Sequence, residues 1–434
     1  MVWFTAVEQT LFLIFLTTLV SLSIGMVTAI SAWWSNRTWA YYVPLLILGV
    51  PPYLLAYFLS DFGHIDPWLG AAISLGVCCS VYPHVLISAR LANRAHKAWE
   101  MMVVVNGKNI RSLLTAIWPS LKLSLLPSVA IIAAEVVADW GVSNFYGINT
   151  LTMMTYNVWT STWDMSLILW GIVSLAIFGI LISRLDLMNL TAIQNDNTNK
   201  QSNFWASVAI APTLLLLGFG ILKSLQWIYL GADFHPDDFF KELANTLYLT
   251  GVVVMICLVT VVVYFSGIAK SFLERTGLGL YALPGTVIGA VILYLFGSWV
   301  SLFVLLSFAI ALRYYGLMIN TVAVADKGNQ RYFEVIDFYS PSRWRSIVTK
   351  ARVVLPSVAM GVCLIILDVI RELPISMILQ PMNFQTLAMR MNYIARNENI
   401  PMLAPHGLVI LTLGIVLSLV IIKLIHDTDK ESKL

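Results

Sequence analysis

Charged residues are scarce in this chain. Only 11% of its 434 residues are Asp, Glu, Lys or Arg, whereas 59% are hydrophobic. A water-soluble globule of this size could not hide so much apolar surface from solvent. The composition therefore excludes a soluble protein and predicts an integral membrane protein, most of whose surface faces lipid.

Residues that carry chemistry are also few. The four cysteines lie inside apolar stretches without metal-ligand spacing, so we interpret them as small buried hydrophobic residues rather than a disulfide framework. The six histidines show no ligand spacing, no nucleophile and base arrangement suggests catalysis, and no stretch matches the phosphate-binding pattern Gly-x4-Gly-Lys-Ser/Thr. We therefore expect no metal site, no cofactor and no enzyme activity. The net charge of +3 is too small to indicate nucleic-acid binding.

Long apolar runs fill most of the sequence. Crossing the hydrocarbon core of a membrane takes about 20 helical residues. The sequence predicts about eleven such transmembrane helices and an all-α fold. They lie near residues 10–32, 42–60, 68–89, 119–139, 164–183, 205–229, 244–266, 279–297, 299–316, 353–373 and 405–425.

Basic residues are concentrated in two long loops. The first holds Arg90, Arg94, Lys97, Lys108, Arg111 and Lys122, and the second holds Lys327, Arg331, Arg343, Arg345, Lys350 and Arg352. Because cytoplasmic loops carry an excess of Lys and Arg, both loops are predicted to be cytoplasmic, and the loop at 141–162, which has neither residue, to be external. Arg371, Arg390 and Arg396 would lie outside, against this rule, but the two long loops outweigh that local conflict.

One pattern occurs twice in the chain. Glu100 is followed eleven residues later by the segment 111–115 (Arg-Ser-Leu-Leu-Thr), and Glu334 by the segment 345–349 (Arg-Ser-Ile-Val-Thr), so the copies have a numbering offset of 334 − 100 = 234. Two such copies predict two similar halves related by a pseudo-two-fold axis. We place the first half at 1–190, a polar cytoplasmic linker at 191–204 and the second half at 205–434. The predicted span at 205–229 has no counterpart in the first half.

The first of these loops resembles the EAA loop of binding-protein-dependent ABC importer permeases. That motif has a glutamate, a small residue six positions later and a proline thirteen positions beyond, which are here Glu100, Asn106 and Pro119. Further segments resemble the fused, two-half permeases of ferric-iron importers, and the resemblance extends over about residues 10–425. These segments are Tyr281–Val287, Asp368–Pro374, Asn383–Ala388, Glu135–Gly141 and Val81–Pro83.

The chain also departs from the family pattern. The two alanines of the motif are replaced by other residues in both loops, its glycine is replaced by Asn106 and Ser340, and the second loop has Val353 in place of the proline, with Pro356 three residues later. Such permeases usually have six spans per half, whereas the first half here shows five.

The resemblance implies the type I ABC importer permease fold and a multi-pass location in the bacterial inner membrane. It also implies ABC ATPase subunits, expected as a dimer, at the EAA-like loops near 93–119 and 325–356, and a periplasmic substrate-binding protein at the outer face. The implied ATPase-coupling residues are Glu100, Asn106, Arg111, Pro119, Glu334, Ser340 and Arg345. The alternative is a pair of solvated basic loops without a partner.

Two carboxylates are predicted deep in the membrane. Glu135 and Asp368 lie about fifteen residues into their spans, about 22 Å from the cytoplasmic side. A carboxylate there costs about 2.5 to 3.5 kcal/mol unless it faces protein or water. Asp139 and Glu372 repeat the pair one turn further on. One interpretation is an acidic lining that favours a cationic substrate, and the other is a structural role, with the carboxylates satisfied by hydroxyl groups or by Arg371.

Proline interrupts two spans at matching positions. Pro51-Pro52 and Pro284-Gly285 have a numbering offset of 284 − 52 = 232, close to that of the loops. Broken helices at membrane depth are tolerated where the backbone lines a cavity or is buried in protein, so Pro52 and Pro284 are candidate residues of a translocation path. A packing kink is the alternative.

These features predict the permease subunit of an ATP-driven importer. Ferric iron is the expected substrate by resemblance alone, and thiamine or another small solute is an alternative within the same fold. An ion-coupled secondary transporter without an ATPase is a second alternative. It would show inverted repeats, whereas here the equivalent loops fall on the same side of the membrane.

Overall fold

The computed structural model of the chain describes residues 2–35, 37–92, 96–107, 109–183, 202–230, 235–267, 269–340, 342–397 and 399–431. These residues form α-helices and short 3-10 helices, and they contain no β-strand. The prediction of an all-α fold is therefore confirmed over the described part of the chain.

The described residues up to 229 form eleven α-helices. They are α1 (Val2–Ser35), α2 (Thr38–Tyr42), α3 (Pro52–Ser60), α4 (Pro67–Cys79), α5 (Val81–Arg90), α6 (His96–Asn106), α7 (Ile110–Ala138), α8 (Gly141–Phe145), α9 (Leu151–Thr162), α10 (Met165–Ser183) and α11 (Asn203–Tyr229). A 3-10 helix, Val43–Gly49, connects α2 to the break before α3.

Ten helices follow. They are α12 (Pro236–Ser266), α13 (Lys270–Ala282), α14 (Gly285–Phe296), α15 (Leu302–Gly328), α16 (Gln330–Tyr339), α17 (Arg343–Val353), α18 (Leu355–Ile370), α19 (Pro374–Ile378), α20 (Leu387–Arg396) and α21 (Ala404–Glu431). A second 3-10 helix, Ile400–Leu403, precedes α21.

The order of the helices repeats along the chain. The last residues of the loop helices α6 and α16 have nearly the same numbering offset as the two glutamates (339 − 106 = 233). The packing repeats as well, because α1 packs against α4, α5 and α7, and α12 packs against their counterparts α15 and α18. Helix α11 has no counterpart among the described helices of the first half, in agreement with the sequence prediction.

Seven helices among the described residues are long and apolar enough to cross a membrane, and the number rises to ten if each of three bent pairs counts as one span. The sequence predicts about eleven. The remaining predicted span, at 164–183, corresponds to α10, a 19-residue helix that is not among the seven. The described helices therefore support a multi-pass membrane protein of seven to ten spans.

The described helices form two compact units. The first contains α1 to α8 and most of α11, and the second contains α9, α10, α12 to α20 and most of α21. Within the second unit, α9 and α10 pack against α14 and α13, and Trp159 and Ile168 cluster with Ala290. The last two helices of the first sequence half are therefore packed with second-half helices. The predicted linker at 191–204 lies mostly outside the described residues and stays a prediction.

Close packing of small residues shapes the first unit. A Cβ atom on Gly25 of α1 would overlap Cγ of Pro83 on α5, so only glycine permits this approach. One turn further along α1, Thr28 Oγ1 lies 3.0 Å from Nδ1 of the buried His84, whose Nε2 lies 3.0 Å from the carbonyl oxygen of Tyr41. Both ring nitrogens of His84 thus find partners inside the protein, as burial in a membrane requires.

The predicted topology can be tested by cysteine labelling. Residues Ser112 and Ser346 of the basic loops are only 0% and 6% exposed and would label poorly, whereas Val105 and Tyr339 are 74% and 78% exposed. In a variant whose four buried native cysteines are replaced by serine, we expect Val105→Cys and Tyr339→Cys to resist an impermeant thiol reagent in intact cells and to react after permeabilisation. Asn149→Cys, at an exposed position of the predicted external loop, should react without permeabilisation. Labelling of Val105→Cys or Tyr339→Cys in intact cells would contradict the orientation.

Candidate functional site

The loop helices α6 and α16 present the two repeated glutamates to solvent. Glu100 and Glu334 are both exposed, and each directly follows an aromatic residue that packs inward. The ring of Trp99 lies 5.6 Å from that of Trp34 on α1, between centroids. The buried ring of Phe333 lies 6.3 Å from that of Phe265 on α12. In both copies, therefore, the residue before the glutamate anchors the loop helix to the C-terminal end of an equivalent span, α1 in the first copy and α12 in the second. Sequence reasoning missed these anchors, although Trp99 and Phe333 occupy equivalent positions of the repeat.

Apolar side chains surround each glutamate on the exposed side of its helix. On α6 these are Met101, Val104 and Val105, and on α16 they are Val335, Phe338 and Tyr339; each is at least 53% exposed. An exposed apolar surface beside a carboxylate is typical of a protein-binding surface.

The first loop turns tightly at residues 106–112. Asn106 ends α6, and Gly107 follows in the left-handed region with a φ of 75°. Asn109 caps α7 by accepting a hydrogen bond from the backbone N–H of Ser112 at 2.8 Å, and the Ser112 hydroxyl donates to the Gly107 carbonyl at 2.9 Å. Arg111, between these residues, is exposed.

In the second loop, an ion pair and a hydrogen bond join the two loop helices. The hydroxyl of Ser346, the counterpart of Ser112, donates to the carboxylate of Asp337, which also pairs with Lys350 at 2.6 Å. Partial burial raises the pKa of Asp337, but Lys350 and Ser346 more than offset this effect and hold the pKa below its ordinary value. The repeated serine thus fastens each helical hairpin, while Arg345, like Arg111, points to solvent. Ser340 directly follows α16.

The helix after each loop differs between the copies. Helix α7 runs unbroken through Pro119 and Pro127, and Pro119 is exposed. In the second copy the helix breaks at Val354, where α17 and α18 meet at 71°. Pro356 lies in the first turn of α18, a position where the missing N–H is tolerated.

Both predicted interruptions are present. Pro52 begins α3 after a bend of 77° from the preceding helical segment, and Pro284 caps the start of α14 after a bend of 109° from α13. At the second break, the backbone packs against the buried ion pair of Arg313 and Glu372. A Cβ atom on Gly285 would lie 2.9 Å from both Arg313 Nη1 and Glu372 Oε1. The fold therefore brings Glu372 close to Gly285, the residue after Pro284, although the two are distant in the chain.

The candidate carboxylates of the second half are paired with arginine. Arg371 forms an ion pair with Asp368, which is only 5% exposed. Arg313 Nη1 donates to Glu372 Oε2 at 2.9 Å, and Tyr314 donates to the same oxygen. This is the arrangement expected of the structural role for Asp368, and it balances the negative charge locally.

In the first half, Glu135 is half-buried near the end of α7, and its Oε1 accepts a hydrogen bond from the Tyr82 hydroxyl at 2.7 Å. Asp139 follows α7 and accepts hydrogen bonds from the backbone N–H and the hydroxyl of Ser143, both at 3.0 Å. Glu372 likewise accepts from the backbone N–H of Ile375 at 3.1 Å. Asp139 and Glu372 therefore share a local role, which is to cap the short helices α8 and α19.

A third buried carboxylate was missed by sequence reasoning. Glu242 of α12 lies 2.8 Å from Nε2 of His406 on α21 and 3.3 Å from Nε of Arg390 on α20. Nearby, the Thr246 hydroxyl accepts from the backbone N–H of Leu387 at 2.9 Å. These partners are far apart in the chain, so no local spacing could have revealed them. The charged cluster joins α20 and α21 to α12.

The packing at the second break predicts a large effect of a small substitution. Gly285→Ala would press a methyl group against Arg313 and Glu372, and overpacking of this kind costs about 1 to 3 kcal/mol. We expect a lower thermal unfolding temperature for the purified variant in detergent. The matched control is Gly251→Ala in α12, where an added Cβ meets no atom within 4 Å. It should be neutral or stabilising, and equal unfolding temperatures for the two variants would contradict the packing described.

Comparisons with protein-family models, with curated proteins and with solved structures find no significant match to this chain. The case for a function therefore rests on the repeated loops, their anchors and the buried charges.

Proposed function

We propose that the chain is the transmembrane permease subunit of an ATP-driven importer with a type I permease fold, resident in a bacterial inner membrane. The observation that carries the proposal is the matched pair of loop helices. Each presents an exposed glutamate within an apolar surface, and each is anchored by an aromatic residue to one of the equivalent spans α1 and α12. Separate ATPase subunits, expected as a dimer, would bind these two surfaces, and a periplasmic binding protein would deliver the substrate.

The anchors suggest how movement of the loops would reach the translocation path. Trp99 packs on α1 and Phe333 on α12, while α1 packs against α7 and α12 packs against α18. Helices α7 and α18 carry Glu135 and Asp368. A displacement of either loop helix would therefore be transmitted through one tightly packed span to the helix that carries the deep carboxylate, as expected of a rigid lever.

We propose ferric iron as the substrate, and this part rests on the family resemblance. An acidic path for a cation is supported more by Glu135, which is half-buried and bonded to a hydroxyl, than by Asp368 and Glu372, whose charges are balanced by arginines. Thiamine or another small solute is the alternative within the same fold. In such systems the binding protein largely selects the substrate.

A second candidate function is an ion-coupled secondary transporter. The buried cluster of Glu242, His406 and Arg390 favours it, because ionisable groups inside transmembrane segments commonly form proton relays. The parallel order of helices in the two halves favours the ATP-driven importer instead. Uptake that continues in vesicles depleted of ATP and stops when the proton gradient is removed would select the secondary transporter.

The coupling role of the loops predicts the effect of removing their charges. Replacing Glu100 and Glu334 by alanine should leave the protein inserted but lower the substrate-stimulated ATPase activity of the assembled complex. Each lost charge-assisted contact is worth about 1.5 to 3 kcal/mol. The matched control is Glu8→Ala, which removes an exposed glutamate from α1 far from the loops. Wild-type stimulation in the double variant would leave the loops as basic segments without a coupling role.

The ion pair of Asp368 allows its two candidate roles to be separated. Asp368→Asn alone should lower the detergent-extracted yield, because Arg371 then loses its charge partner. The double variant Asp368→Asn/Arg371→Gln should recover the yield. Glu135→Gln should keep a normal yield, because an amide can still accept a bond from Tyr82.

We expect uptake to fall in Glu135→Gln and to be lost when it is combined with Asp368→Asn/Arg371→Gln. Uptake at the wild-type rate in this triple variant, measured at equal protein level, would remove the acidic path. It would also leave the resemblance as the only support for a cationic substrate.

A further inference from the structure

Helix α17 is unusually basic for a segment that adjoins a transmembrane helix. Its eleven residues include Arg343, Arg345, Lys350 and Arg352 and no acidic residue. Charged side chains are strongly disfavoured in the hydrocarbon core, so α17 cannot extend the span formed by α18. The chain bends by 71° between the two helices. A helix at that angle to its span runs nearly along the membrane surface.

One side of α17 packs against α16, and the other side is exposed. Ser346 and Lys350 face α16 and bind Asp337, which fastens the hairpin. Arg345, Thr349 and Arg352 are exposed, and they recur at spacings of three and four residues, so they lie on one face of the helix. Trp344, at the edge of this face, is 64% exposed. A tryptophan ring beside basic side chains is the combination found in helices that lie at a membrane interface.

The first copy carries a less densely basic version of this face, because exposed Arg111, Trp118 and Lys122 recur at helical spacing on α7. Helix α7 is continuous there, and the positions of the repeat that correspond to Trp344, Arg345 and Arg352 hold Ile110, Arg111 and Trp118. Only one of the exposed basic residues is therefore shared. Arg345 corresponds to Arg111, and the family resemblance gives both as coupling residues, whereas the arginine at 352 occurs only in the second copy. The basic face of α17 therefore extends beyond the proposed coupling surface.

We propose that α17 is an interfacial helix that binds the phosphate groups of anionic lipids in the cytoplasmic leaflet through Arg345 and Arg352. The planar guanidinium group matches phosphate oxygens with two parallel hydrogen bonds. The negative potential of an anionic leaflet attracts basic segments that lie next to it. Bound lipid would hold the α16–α17 hairpin at the membrane, so the lipid composition would set the position of the second loop and not of the first. The inference depends on the cytoplasmic orientation of the loop and not on the binding of an ATPase.

The test places an environment-sensitive fluorophore at Thr349→Cys in the full chain with its native cysteines replaced by serine. The protein is reconstituted in nanodiscs of phosphatidylcholine alone or of phosphatidylcholine with increasing phosphatidylglycerol. We expect a blue shift that grows with the phosphatidylglycerol fraction, is quenched by lipids spin-labelled at the headgroup and is weakened by high salt. The matched control is Thr115→Cys, the counterpart in the first copy. Both threonines are exposed, and each donates to the carbonyl four residues earlier, at 2.9 Å for Thr349 and 2.8 Å for Thr115.

Replacing Arg345 and Arg352 by glutamine should raise the phosphatidylglycerol fraction needed for half of the shift, with affinity falling about fivefold for each arginine. Arg345→Lys/Arg352→Lys, a variant that keeps the charge, should retain most of the response and shows that the fold tolerates change at these positions. Glu334→Ala should respond like the wild type, which separates this inference from the coupling proposal. Identical emission at Thr349→Cys in the two lipid compositions, or a shift seen only after an ATPase partner is added, would overturn the proposal.

Discussion

The absence of water in the hydrocarbon core is the constraint on which this structure depends. An ionisable side chain there must be neutral, paired or directed to the surface. The second unit meets this requirement by pairing its buried carboxylates, because Glu372 binds Arg313, Asp368 binds Arg371, and Glu242 binds Arg390 and His406. The pairs of Glu372 and Glu242 join helices that are distant in the chain, and the pair of Asp368 and Arg371 lies within the last turn of α18. In the second unit, the buried carboxylates therefore stabilise helix ends and contacts between helices.

The same constraint bears on α1 and α12, the equivalent spans that connect each loop helix to other spans. Helices α1 and α12 each contact the loop helix of their half through an aromatic pair, and each packs against the helix that carries a deep carboxylate. Aromatic packing is suited to this position, since it provides large contact area without placing further charge near the membrane. The loop surface and the membrane-embedded carboxylate of one half are thus connected through a single rigid element.

Much of the fold could be predicted from the sequence, because apolar runs and a long internal repeat are local or periodic signals. The positions of most spans, the breaks at Pro52 and Pro284 and the lone extra helix α11 follow from them. The site could be predicted only in part. The partners of Glu242 lie on α20 and α21, far along the chain from α12. Contacts between such distant residues produce no regular spacing in the sequence. The sequence repeat identifies Asp139 and Glu372 as equivalent residues. Their shared role, which is to accept hydrogen bonds from the first turns of α8 and α19, could be seen only from the backbone geometry.

The differences between the halves argue that they do not perform the same mechanical task. In the first unit the anchor of α6 is extended by α11, because the Trp205 ring lies 6.5 Å from Trp34 and Lys223 pairs with Asp61 at 2.5 Å. The second loop has no counterpart of α11 in the order of the described helices, and it is closed by Asp337 and Lys350 and followed by a bend instead of a straight helix. A continuous helix transmits a displacement along its axis, whereas a bend allows the loop to move without moving the span by the same amount. If the loops act as levers, as proposed, the α6 loop would be the stiffer of the two, and the α16 loop would be the one whose position depends on its surroundings.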